Sequence, residues 1–165
     1  MFSVLIIKTK IFDMILRVVL FLILNFSALA IGGFFTGAGV PSEWYIELNK
    51  APWTPPGWVF GAAWTSIMIC YSIFMAFLWD KISNKRWLLT LYTFQWILNV
   101  SWNPAFFYAH QVALGLLLIS SLTLLIAYFF FGNIEKLKWK IIFVLPYLVW
   151  LLIATSLNGY ILIYN

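Results

Sequence analysis

Apolar residues run along this chain in long blocks, not in alternating or narrow stripes. Five blocks, at residues 14–36, 58–79, 87–108, 112–131 and 141–163, each approach the roughly 20 residues that a helix needs to cross a bilayer core. Arg17 is the one charged residue inside them. It lies a turn from an end, where its stem can carry the guanidinium to the interface. Lipid offers no partner to free backbone groups, so spans of this kind are helices, not open strands. The blocks are also too continuous for the alternating strands of a membrane barrel. The pattern predicts an all-α integral membrane protein, a five-transmembrane-helix bundle with residues 1–165 forming a single domain.

The connections are short except for residues 37–57. There, Pro41-Ser42-Glu43 reads as a helix start, with Trp44, Tyr45 and Leu48 on one side of a short helix. Pro52, Pro55 and Pro56 then hold the chain extended. Such a segment serves either as a lid over a site or as a stiff connector with interfacial tryptophans. The first block also has two readings. Lys8, Lys10 and Arg17, an apolar run and Ala28-Leu29-Ala30 resemble a cleavable signal, whereas continuation of the run to Phe35 favours a retained helix.

Composition sharpens the class. Of 165 residues, 64% are hydrophobic and 9% charged, too few polar groups to coat a water-facing core. A soluble enzyme, a disordered chain and a nucleic-acid binder are excluded. The net charge of +5 has a topological meaning instead. Lys8, Lys10, Arg17, Lys81, Lys85, Arg86, Lys136, Lys138 and Lys140 fall on one side of a five-span chain, and Lys50 alone on the other. The positive-inside rule then places the N-terminus in the cytoplasm and the C-terminus outside.

Candidate chemistry is sparse. A lone Cys70 and a lone His110 make neither a disulfide nor a tetrahedral zinc site. The carboxylates Asp13, Glu43, Glu47, Asp80 and Glu135 all lie at block edges. That argues against acid–base catalysis and against ion-coupled transport through an intramembrane acid. The informative residues are polar ones in the third block. Gln95, Asn99, Trp102, Asn103 and Phe106 share one helical face. Buried in lipid, such a face either walls a pocket or glues helices together. Tyr147, Trp150, Ala154 and Asn158 form a second stripe, above a Pro146 expected to kink its helix or free a carbonyl. Phe60, Trp64, Met68 and Tyr71 form a third. Three aromatic stripes carrying a few amides suit a pocket for a large, flat, apolar ligand. Ala28, Gly32 and Gly33 suggest close helix packing, within one bundle or across a dimer.

These residues resemble a known family. Trp44-Tyr45, Leu48, Lys50, Trp53-Thr54-Pro55-Pro56, Phe60-Gly61 and Trp64 look like the signature of the translocator protein / tryptophan-rich sensory protein (TspO/MBR) family. So do Gln95-x-x-Leu98-Asn99-x-x-Trp102-x-x-x-Phe106-Phe107 and Pro146-Tyr147-Leu148-x-Trp150-x-x-x-Ala154-x-x-Leu157-Asn158. The resemblance implies a five-helix bundle, often a homodimer, in a bacterial inner membrane. It implies binding of porphyrins and apolar drugs without a resident cofactor or metal, the porphyrin being a ligand. It carries the binding site to Trp44 or Tyr45, Trp53, Trp64, Asn99, Asn103, Phe106, Trp150 and Ala154. Trp64 and Trp150 take the positions linked to porphyrin photochemistry. The chain departs from the family pattern at Lys50-Ala51-Pro52-Trp53, where one proline has slid, and in having no basic residue after Leu157 and Tyr160 to complete a sterol motif. Three functions follow: tetrapyrrole transport or sensing, light-dependent protoporphyrin degradation, or a regulatory membrane role with incidental ligand binding.

Overall fold

The computed structural model describes the backbone of residues 2–165 and the side chains from Lys8 onward. Five long helices form the bundle: α1 (Phe2–Gly39), α3 (Gly57–Lys81), α4 (Lys85–Asn103), α5 (Val112–Phe131) and α7 (Leu145–Tyr164). Two short ones, α2 (Glu43–Glu47) and α6 (Ile134–Leu137), sit in the connections. Among the described residues four segments, Lys8–Gly39, Gly57–Lys81, Val112–Phe131 and Ile134–Tyr164, are long and apolar enough to cross a membrane by themselves. The helix α4 is not among them, because Gln95, Asn99, Ser101 and Asn103 interrupt its apolar surface. Side chains of α1 are built into the bundle: Phe21 and Ala28 are buried, and Asn25 is bonded across to α3 and α4.

Helix boundaries follow from local chemistry. Ser42 caps α2 by accepting the Tyr45 amide at 3.3 Å, the start that Pro41-Ser42-Glu43 predicts. Asn84 caps α4 by accepting the Trp87 amide at 3.0 Å.

Two expectations need correction, and both concern proline. The third block was expected to stay α-helical to residue 108. Pro104 has no N–H to continue the ladder, so α4 ends at Asn103 and the chain widens into a π-turn over Pro104–Tyr108. Its bonds run from Ala109 N to Pro104 O and from Gln111 N to Ala105 O, each 2.9 Å. His110, at φ 53°, closes the turn. Pro146, expected to kink the last helix or free a carbonyl, makes no kink: it occupies the first turn of α7, where a missing N–H breaks nothing. The residues before it, Lys138–Val144, form a 3₁₀ segment, so the α-helix begins at Leu145 and not at 141.

One end of the bundle is solid. It carries the basic turns, and we call it the basic end. Arg17 of α1 is ion-paired with Asp80 of α3. Lys85 donates to the carbonyl oxygens of Trp79 and Ile82, closing the end of α3. The Lys140 ammonium lies 4.1 Å over the Phe77 ring. Above this, Tyr71, Phe74, Ile126, Phe129, Tyr147 and Leu151 form a fully buried core. A layer of hydrogen bonds crosses the bundle at the same level. Tyr92 donates to Asn25 Oδ1 at 2.7 Å, Asn25 donates to Ser72 Oγ at 2.8 Å, and Gln95 donates to the Tyr147 hydroxyl at 2.7 Å. These bonds give partners to polar groups that lipid could not pair, while Gln95 Oε1 and the Tyr71 hydroxyl stay buried without one among the described residues.

Candidate ligand cavity and family membership

Toward the opposite end, which carries the 48–56 loop, the bundle is hollow. A cavity of about 540 Å³ lies between α1, α3, α4 and α7, roofed by α2 and the loop. That volume is within the range of small-molecule sites. Trp64 from α3 and Trp150 from α7 contribute aromatic wall. Trp64 is braced edge-on by Tyr147 at 5.9 Å, and Trp150 by Phe60 at 5.2 Å. Ala154 continues the α7 wall, and Tyr45 and Lys50 close the top.

Four amides readable as wall or as glue, Gln95, Asn99 and Asn158 buried and Asn103 half-buried, divide residue by residue. Gln95 is glue, donating to Tyr147. Asn158 is glue as well: it accepts the Trp102 indole N–H at 3.1 Å and donates to the Val112 carbonyl at 3.1 Å. Asn103 does both, lining the cavity while accepting from Thr36 Oγ1 at 2.7 Å and donating to Asn99 O at 3.2 Å. Asn99 is different. It is 6% exposed and lines the cavity, and its side-chain amide has no partner among the described residues. A buried amide left unpaired is costly, so its donors and acceptor are available to whatever fills the space.

Lys50 supplies the cation on the cavity wall. Its ammonium donates to Ile46 O at 3.0 Å and lies 4.8 Å above the Tyr45 ring. Burial pushes the Tyr45 phenol above its usual range, so this hydroxyl is neutral at physiological pH. Among the described residues no carboxylate, histidine or cysteine lines the cavity.

Six of the expected site residues therefore meet around one space: Tyr45, Trp64, Asn99, Asn103, Trp150 and Ala154. Three do not. Phe106 is buried outside the wall, stacked on Trp102 at 5.5 Å. The π-turn explains this. A wider turn advances less per residue, so Phe107 reaches the wall position that ideal α-helical spacing assigns to Phe106. Trp44 packs away from the cavity, stacked at 4.1 Å on His110. Trp53 is 53% exposed, donating its indole N–H to Ser156 Oγ at 3.1 Å. In place of a pocket contact it pins the loop to α7. Asn49 and Asn165 add a second pin, with bonds of 2.8 and 3.3 Å.

The α1 wall was missed. Gly32, Gly33, Thr36 and Gly37 border the cavity, but small residues carry no chemical signal beyond close packing. In the Phe60, Trp64, Met68 and Tyr71 stripe, the first two face the cavity and the last two are core.

Residues 18–164 match the TspO/MBR family, nearly the whole chain. The chain belongs to this family. The "tryptophan-rich sensory protein" of Cereibacter sphaeroides is 34% identical over 118 residues, covering 72% of this chain and 74% of that protein. "Protein CrtK" of Rhodobacter capsulatus is 33% identical over 123 residues, 72% and 76% of the two chains. The human "translocator protein" is 32% identical over 132 residues, 76% and 75%. As a TspO/MBR protein with helices of this length and apolarity, the chain is an integral membrane protein.

Proposed function

We propose that this TspO/MBR protein binds a flat, apolar ligand of the tetrapyrrole class in the cavity, for sensing or transport. The observation that carries the reading is the unpartnered Asn99 amide set deep in an aromatic wall. Trp64 and Trp150 offer ring faces to a macrocycle. Asn99 offers a hydrogen bond to its polar interior or edge. Lys50, at the top, offers a charge-assisted bond to a carboxylate. The relatives' names, a sensory protein and a translocator protein, support a membrane sensing or transport role.

In this reading α4 is the fifth crossing, its polar face turned inward on the cavity and the hydrogen-bonded layer. The basic end lies in the cytoplasm of a bacterial cell, with the loop end outside the inner membrane.

The test is a titration of protoporphyrin and its dimethyl ester against tryptophan emission, on wild type and Lys50→Met. The acid should bind wild type more tightly than the ester by roughly ten- to a hundredfold, the worth of a hydrogen bond to a charged group. Lys50→Met should erase that difference. Equal binding of both compounds to the wild type would reject the role of Lys50, and no saturable quenching would reject the ligand class.

Two tryptophans sharing one cavity also favour examining light-driven porphyrin loss. Illumination of the bound complex, compared between wild type and Trp64→Phe/Trp150→Phe, decides it. Unchanged bleaching in the double variant makes those tryptophans wall residues only.

A further inference from the structure

The cavity's roof is fastened, whereas one of its sides is bare. At the roof, Trp53 is bonded to Ser156, Asn49 to Asn165, and Trp44 is stacked on His110. Between α1 and α3 the arrangement is the reverse. These helices are tied near the basic end by Arg17–Asp80 and Asn25–Ser72. Farther up, α1 turns one small-residue stripe onto α4 and the π-turn. A Cβ on Gly32 would lie 2.6 Å from Asn103 Nδ2, and one on Gly39 would lie 2.5 Å from Phe107.

The adjacent stripe of α1, Gly33 and Gly37, borders the cavity, as do Gly57 and Gly61 of α3. A Cβ on any of these four would meet nothing within 4 Å. All four are exposed. Glycines four apart in membrane helices usually permit close packing, but among the described residues nothing packs on them. Beside them, Phe34 and Trp58 are 76% and 75% exposed, so the rim suits hydrocarbon and not water. The unpartnered, buried Asn99 amide stands in the cavity behind this rim.

The geometry points to a lateral window between α1 and α3, framed by Gly33, Gly37, Gly57 and Gly61, through which the ligand enters from the bilayer while the roof stays closed. The missing side chains keep the passage open. This rests on the ligand-binding reading above. It adds that the ligand is a lipid-partitioned compound, and that its rate of capture follows its concentration in the membrane.

The experiment uses the full chain in lipid nanodiscs, with stopped-flow quenching of tryptophan emission by protoporphyrin. Gly33→Leu/Gly61→Leu places two branched side chains in open space. The on-rate and off-rate should fall together by about tenfold. A lost contact would instead raise the off-rate alone. A second measurement needs no porphyrin. Phospholipids with brominated acyl chains should quench an emission component that disappears in Trp64→Phe, and the leucine pair should shield that component. Unchanged rates in the leucine pair overturn the window, and so does the lack of a lipid-quenched Trp64 component in the wild type. If protoporphyrin fails to bind at all, the ligand-class reading falls, and the bromolipid result still decides the window.

Discussion

Asn99→Leu separates a ligand contact from a structural one more cleanly than any other change in this molecule. Leucine is close to asparagine in size and favours the helix. Because the Asn99 side chain holds no bond to the described residues, removing it breaks none of theirs, and thermal stability should stay level or rise. Affinity should fall by the worth of one hydrogen bond in a membrane interior. At about 0.6–2 kcal/mol, that is roughly a three- to thirtyfold rise in Kd. Asn158→Leu is the counterpart. It strands the Trp102 indole N–H, while the Val112 carbonyl loses only a second bond and keeps its helical one in α5. One stranded group at about 1–3 kcal/mol, at about 2–4 °C per kcal/mol for a chain of this size, gives a fall of roughly 2–12 °C in Tm. The assay is a thermal melt and a protoporphyrin titration on both variants in one detergent. If Asn99→Leu melts as early as Asn158→Leu and binds like wild type, Asn99 is glue and the reasoning from its free amide is refuted.

Neighbouring glycines of α1 should respond in opposite directions. Gly32→Ala drives a methyl into Asn103 and should destabilise by about 1–3 kcal/mol. Gly33→Ala meets nothing and should stabilise by up to about 1 kcal/mol through helix propensity, both read from melting curves. Reporter fusions at Asn84 and Asn165 should report cytoplasm and exterior respectively; a cytoplasmic signal at Asn165 would remove α4 from the list of crossings or invert the bundle. Purified protein should bind cholesterol weakly, since no Lys or Arg follows Tyr160, and a saturable, tight isotherm would contradict this.

The helices were legible because apolar blocks of membrane length leave the backbone little choice. The capped start at Ser42 also follows from residue type. What the sequence hid was the backbone's local response to proline. Pro104 and Pro146 look alike in a string of letters. One falls where a helix must widen and the other where a helix begins, and only the packing around each decides which. That single difference moved Phe106 out of the wall and Phe107 into it. The α7 wall was readable because Trp150 and Ala154 belong to an aromatic stripe. The α1 wall was not, because glycine looks the same whether a partner helix or an empty space lies beside it. Trp44 and Trp53 lie off the cavity wall, while Tyr45, the alternative to Trp44, lines it: an aromatic residue in a loop shows its appetite for burial but not its direction.

The hydrogen-bonded layer of Asn25, Ser72, Tyr92, Gln95 and Tyr147 runs through the packed core on the basic-end side of the cavity. Below it the helices are bonded and close-packed. Above it part of the cavity wall is glycine: side chains added at Gly33, Gly37, Gly57 or Gly61 would meet nothing, whereas Gly32 and Gly39 are packed tight. Substitutions at those four positions can therefore reshape the space without disturbing the contacts that hold the bundle.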